Sequence, residues 1–205
     1  MITIVDYGHG NLYSIGQALR HLGASYEISD KPESIAKADK IIVPGVGAFL
    51  AAMDALKARG LVMPLREAAA NGKLFLGICL GMQLLADRSE EFGSHEGLGL
   101  IPGDVIGLPD GNKRPDADRV PNVGWRTIHY TANEEAANPR DPEMVYFVHS
   151  LHFVAADPKS ILATTQFNNA EIAAAIQRDN VIGYQFHPEN SGPAGIDLLR
   201  GFVRL

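Results

Sequence analysis

The sequence predicts an α/β fold: an open, mostly parallel twisted sheet flanked by helices, with antiparallel strands added. Three observations predict it. Short β-rich apolar runs alternate with helix-like segments through the first half of the chain. The first two predicted strands end directly in glycine-rich turns. Beyond about Pro102 the helix-like segments give way to closely spaced strand-like runs.

The alternation runs Ile2 to Val5 then Leu12 to Leu22, Lys40 to Val43 then Phe49 to Lys57, and Leu74 to Ile78 then Leu80 to Asp87. Apolar runs of four or five residues suit buried strands, and the segments after them carry apolar residues at helical spacing. Strand, helix, strand in this order makes βαβ units, which need a parallel sheet. The turns Tyr7-Gly8-His9-Gly10 and Pro44-Gly45-Val46-Gly47 and the segment Gly77-Ile78-Cys79-Leu80-Gly81 then fall at carboxyl ends of strands, where open α/β sheets bind ligands.

Pro109 to Pro121 is polar and charged and reads as a loop. After it come Met144 to Val148, His152 to Ala155, Ile161 to Phe167, Ile172 to Gln177 and Val181 to Phe186, separated by Asp157-Pro158, Asn168-Asn169 and Asp179-Asn180. These are expected as antiparallel strands added to the sheet. A last helix is expected over Gly195 to Val203, with Ile196, Leu199 and Phe202 on one side and Pro193 near its start. One domain, residues 1–205, is the expectation for this length at 46% hydrophobic and 20% charged residues.

The net charge of -6 and pI near 5.6 argue against nucleic acid as a partner, because polyanion binders carry a basic face. The sequence holds no apolar run of about 18 residues and its first residues carry no basic leader, so a cytoplasmic protein without a membrane partner is expected. A lone cysteine rules out an internal disulfide, fits a reducing compartment, and makes Cys79 the one thiol available for chemistry.

Cys79 sits between Gly77 and Gly81, after a strand and before a helix-like run. Gly-x-Cys-x-Gly is the thiol counterpart of the nucleophile elbow: small neighbours relieve crowding at a sharp turn, and free N–H groups at the helix start favour a thiolate. A buried cysteine acting as a small hydrophobe is the plainer alternative. A thiol nucleophile needs a base, and His187 follows a strand in Phe186-His187-Pro188-Glu189. Pro188 favours extended geometry at His187, so Glu189, two residues on, can face the same side and orient the imidazole. Taken alone, His187 and Glu189 also read as a strand end and a solvated carboxylate.

Val46 and Gly47 in the Pro-Gly-Val-Gly turn, with the Leu80 N–H, are candidates for an oxyanion hole built from backbone donors. Gly8-x-Gly10 with Asp30 beyond it imitates a dinucleotide fingerprint but has Tyr13 where the third glycine belongs, and no cofactor is expected. His149 and His152 lack a second thiol or an acidic cluster, so no metal is expected.

Gly77-Ile78-Cys79-Leu80-Gly81-Met82-Gln83 and Phe186-His187-Pro188-Glu189 together resemble the two signatures of the class I (triad) glutamine amidotransferases, a flavodoxin-like family. The likeness narrows to the glutaminase subunit of imidazole glycerol phosphate synthase through Val5 to Leu12, Pro44 to Gly47, Gly97 to Leu100, Gly124-Trp125, Tyr146 to Ser150 and His187 to Gly192, and covers nearly the whole chain. It implies catalysis by Cys79, His187 and Glu189, and a partner, the cyclase (β/α)₈-barrel subunit, that receives the ammonia. That subunit would make imidazole glycerol phosphate and aminoimidazole carboxamide ribotide, in histidine biosynthesis. It further implies that Gln83 and Glu91, with the backbone at Ser150 and Leu151, hold glutamine, and that Asn11, Trp125 and Tyr146 lie toward the cyclase. Three residues depart from the family pattern: His9, Asn122 before Gly-Trp, and Asn190 in place of a lysine after His-Pro-Glu.

Overall fold

The computed structural model describes residues 1–110, 117–131 and 143–205. Part of the expected Pro109 to Pro121 loop, residues 111–116, lies outside them.

The chain begins with β1 (Ile2–Val5), α1 (Leu12–His21), β2 (Tyr26–Ser29), α2 (Pro32–Lys37), β3 (Lys40–Gly45), α3 (Phe49–Ala58), α4 (Val62–Ala70) and β4 (Leu74–Cys79). A single helical turn, α5 (Leu80–Gln83), follows, then β5 (Arg88–Ser89), β6 (His95–Glu96) and β7 (Gly103–Gly107). The last part comprises β8 (Asn122–Tyr130), β9 (Glu143–His149), β10 (Leu151–Ala155), β11 (Ile161–Phe167), β12 (Ala170–Arg178), β13 (Val181–Tyr184) and α6 (Gly192–Arg204).

The larger sheet runs β2-β1-β3-β4-β13-β12-β11-β8-β9. It is parallel from β2 through β13 and antiparallel from β13 to β9. Side chains alternate faces along each strand. Ile41 and Val43 join the core that holds Ile35, Phe49, Leu56 and Leu65 from α2, α3 and α4, while Ile42 joins Ile15, Leu19, Leu199 and Phe202 from α1 and α6. Helices therefore cover both faces, as the apolar runs require. A smaller sheet, β10-β7-β5-β6, adds Val105 and Phe153 to the first of these cores.

Four expectations change. The segment Leu80 to Asp87 is helical only to Gln83, because Leu85 and Ala86 turn back with bonds to Met82 and Gln83 and Gly97 comes close to Ala86. The expected strand at His152 to Ala155 starts at Leu151 and pairs with β7 in the smaller sheet, not the larger. The expected strand at Val181 to Phe186 ends at Tyr184 and inserts parallel to β4, with only its other edge antiparallel. Finally, β2, α2, α4, β5, β6, β7 and β8 form where no element was expected. Tyr26–Ser29 and Gly103–Gly107 are short and partly exposed, so they lack a strong alternating signal.

Candidate active site

The nucleophile candidate sits where β4 turns into α5. Cys79 has φ 55° and ψ -112°, a sparsely populated conformation for a residue with a side chain. Glycines make the bend possible. A Cβ on Gly81 would lie 1.8 Å from the Val43 carbonyl oxygen, and one on Gly77 would lie 2.4 Å from the Gly81 oxygen. A Cβ on Gly45, paired with Cys79 across β3 and β4, would lie 2.7 Å from the Gly81 nitrogen. The expected helix beyond the nucleophile is one turn long, so its dipole is weaker than a full helix would supply.

His187 follows β13, the parallel neighbour of β4, so both residues emerge at the same carboxyl edge. Its backbone is held from two sides: the His187 N–H donates to Tyr146 O at 2.9 Å, and Ser191 Oγ donates to His187 O at 2.6 Å. The imidazole Nδ1 lies 2.9 Å from Glu189 Oε1. Glu189 belongs to a 3₁₀ turn, Pro188–Asn190, and its side chain is fully buried. His187 Nε2 and Glu189 Oε2 are buried with no hydrogen-bond partner among the described residues.

Burial works against a charge on His187, but the Cys79 sulfur and then the Glu189 carboxylate outweigh it and raise its pKa to about 10. The imidazolium is the form that a neighbouring thiolate and carboxylate stabilise. Cys79 Sγ lies 3.7 Å from Val148 O, and Gln185 Nε2 donates to the sulfur at 3.9 Å.

A cavity of about 260 Å³ opens over these residues. It is smaller than the roughly 300–1,000 Å³ typical of clefts for drug-sized ligands, which suits a small substrate. Cys79, His187, Val46, Gly47, Leu80, Gln83, Glu91, Ser150 and Leu151 all line it. Gly47 has φ 104°, which leaves its peptide in a geometry few other residues adopt. Glu91 Oε2 accepts the Phe49 N–H at 2.5 Å, which anchors the carboxylate at the start of α3. Gln83 Nε2 donates to Leu151 O and to Gln185 Oε1, both at 3.1 Å.

Asn11, Trp125 and Tyr146 lie outside the cavity. Asn11 caps α1 by accepting the Ser14 N–H. Trp125 and Tyr146 face each other across β8 and β9, ring centroids 6.1 Å apart in an edge arrangement. Trp125 is half exposed, in a row with the exposed cross-strand pair Val123 and Val148.

Sequence reasoning missed Tyr7, Pro121, Val148, Gln185 and Ser191, and weighed His149 only as a metal ligand, a role it set aside. Pro121, Val148 and His149 line the cavity. Both ring nitrogens of His149 are engaged, Nε2 by Asn122 and Nδ1 by the Leu151 carbonyl. Tyr7 donates to Pro44 O at 2.6 Å and so braces the Pro-Gly-Val-Gly turn. Burial, aided by charge on Cys79, pushes its phenol pKa far up, so the hydroxyl remains a donor. The distance of Tyr7 from any catalytic motif in the sequence hid this role, although its place at the end of β1 was a signal.

The family described as glutamine amidotransferase class-I matches residues 3–205. Among curated proteins, the chain is 44% identical to the imidazole glycerol phosphate synthase subunit HisH of Salinibacter ruber, over 100% of this chain and 94% of that protein. It is 43% identical to the HisH subunit of Syntrophotalea carbinolica over 98% of each. Among solved structures, a glutamine amidotransferase superposes with a TM-score of 0.75 at 17% identity, covering 100% of both chains. PurLQS from Thermotoga maritima gives 0.75 at 20% identity, covering 99% of this chain and 97% of that one. At those identities the superpositions speak for the fold alone.

Proposed function

The chain belongs to the class I glutamine amidotransferases, and from that premise we propose that it is the glutaminase subunit of imidazole glycerol phosphate synthase. It hydrolyses glutamine to glutamate and ammonia for a partner subunit. The observation that carries this reading is kinship over the full chain to HisH subunits at about 40% identity. The convergence of Cys79 and His187 on one cavity supports it.

Cys79, as thiolate, attacks the carboxamide carbon of glutamine. The developing oxyanion is held by backbone N–H groups at Gly47 and Leu80, with Val46 shaping the turn. His187, oriented by Glu189, gives its proton to the departing nitrogen, and ammonia leaves with the bond electrons. His187 then takes a proton from water, which attacks the γ-glutamyl thioester, and glutamate departs as the thiolate returns. Gln83 and Glu91 meet the α-amino end of the substrate, and the backbone at Ser150 and Leu151 lines its other side. Residues 1–205 serve as one glutaminase domain, working in the cytoplasm.

The partner is the cyclase (β/α)₈-barrel subunit, which uses the ammonia in forming imidazole glycerol phosphate and aminoimidazole carboxamide ribotide. The surface that fits it is the exposed apolar ladder around Trp125, with Val123 and Val148, because apolar rows of this kind on a soluble subunit mark contact surfaces. Tyr146 backs Trp125, and Asn11 stands at the same carboxyl edge of the sheet.

The test is glutamate release from glutamine by the purified chain, alone and with the cyclase subunit and its nucleotide ligand. Strong stimulation by the partner and ligand together is expected. Equal release under all conditions would point instead to a stand-alone cysteine hydrolase or a sister amidotransferase.

A further inference from the structure

We propose that His149 is a positioning residue for glutamine: Asn122, oriented by Arg126, holds its ring in the Nδ1-protonated form, and that N–H fixes the Leu151 carbonyl in the cavity wall. The inference rests on the glutaminase reading above.

Arg126 sets the direction of the hydrogen-bond chain, because a guanidinium only donates. It is held independently of the site: NH2 donates to Asp118 Oδ1 at 2.8 Å, NH1 donates to Gln166 O at 3.2 Å, and the guanidinium carbon lies 5.0 Å from the centre of the Phe167 ring. Asp118 is itself tied to the β11–β12 turn through the Asn168 N–H at 3.0 Å, and burial is slight enough that the Arg126 hydrogen bond holds its carboxyl below the usual range. The Arg126 Nε–H donates to Asn122 Oδ1. The Asn122 amide is thereby turned so that its NH₂ faces His149 Nε2, 2.8 Å away.

An NH₂ group needs a lone pair opposite it, so Nε2 carries no proton and the ring proton sits on Nδ1. There it donates to Leu151 O at 2.7 Å. Burial favours the same neutral ring and pushes the His149 pKa down to about 4.

The Leu151 carbonyl also receives Gln83 Nε2, so its two lone pairs are both used. Gln83 in turn spends its NH₂ on Leu151 and Gln185. That leaves Gln83 Oε1, an acceptor, to meet the substrate ammonium beside the Glu91 carboxylate. His149 thus sets the side-chain amide of a substrate-facing residue without touching the reacting atoms. Asn122 is the member that selects the tautomer.

Two measurements test this. In the complex with the partner subunit, His149→Phe removes both ring nitrogens, while His149→Asn keeps an N–H donor at the Nδ1 position. For His149→Phe, KM for glutamine should rise tenfold or more while kcat changes less than threefold; His149→Asn should bring KM back to within threefold of the parent. Equal impairment of the two variants, or an unchanged KM in His149→Phe, would overturn the proposal. Nitrogen-15 NMR of the unmodified chain at neutral pH should find the His149 proton on Nδ1, and a proton on Nε2 would overturn it whether or not any variant folds. If the parent complex releases no glutamate, the glutaminase reading fails, and the NMR result still decides the tautomer.

Discussion

Glu189 Oε1 and His187 Nδ1 meet at 2.9 Å inside the protein, and no other described residue hydrogen-bonds to the remaining carboxylate oxygen. A buried carboxylate with one partner binds that partner strongly and fixes both its charge and its direction. In Glu189→Gln the amide no longer stabilises an imidazolium. We expect kcat for glutamine hydrolysis to fall by roughly 10² to 10⁴, with KM little changed, read by steady-state glutamate release.

Cys79→Ala should lose glutamine-dependent synthesis altogether, a fall on the order of 10⁵ or more, because no other residue can form the thioester. Synthesis from added ammonia by the assembled complex should persist, since that chemistry belongs to the partner. Undiminished glutamine use by the variant would sink the assignment of the nucleophile.

Gly81→Ala should destabilise the fold by about 3 kcal/mol or more, seen as a large drop in melting temperature. Its methyl group would meet the Val43 carbonyl at 1.8 Å, and backbone cannot step aside as a side-chain tip can. Gly60→Ala is a useful contrast: nothing lies within 4 Å of the added carbon, and only its φ of 66° opposes the change.

Acid should expose His149. Its folded pKa of about 4 lies below the unfolded value near 6.5, chiefly because burial disfavours the charge. The stabilisation is fully present above pH 6.5 and is lost as pH falls through 4, amounting to about 3 kcal/mol over that window. Urea melts of the parent at pH 7 and pH 4.5 should therefore differ by more than those of His149→Asn, which has no proton to take up.

Trp125→Ala should weaken binding to the cyclase subunit by about 2 kcal/mol, or some thirtyfold in Kd, as truncation of a central aromatic does. The melting temperature should hardly move, because half of the ring is already exposed. Titration calorimetry separates the two effects.

Much of this arrangement was legible in the sequence, and the reason is local. Gly77, Cys79 and Gly81 announce a bend because the crowding they relieve lies between near neighbours. His187 and Glu189 pair across a single proline. The Ile2 to Val5, Lys40 to Val43 and Leu74 to Ile78 runs are largely buried on both faces and so stand out as mostly apolar stretches. What escaped was set by long-range contacts. Nothing around Leu151 says that it pairs with Gly107 in a second sheet, and nothing near Leu84 says that Gly97 will close against Ala86 and end the helix. Tyr7, Asn122 and Ser191 act through hydrogen bonds to other segments, namely Pro44 O, His149 Nε2 and the Tyr146 N–H, and such bonds leave no periodic trace.

The strand that brings His187 to the site is inserted between β4 and β12, in the middle of the larger sheet, although it is the last of the described strands in chain order. Gln185, just beyond it, stands 106 positions after Cys79. During synthesis the edge of β4 that pairs with β13 can therefore be filled only after residues 181–184 have left the ribosome. A chain stopped before residue 181 therefore carries Cys79 without β13 beside β4 and without the His187 and Glu189 pair that follows that strand.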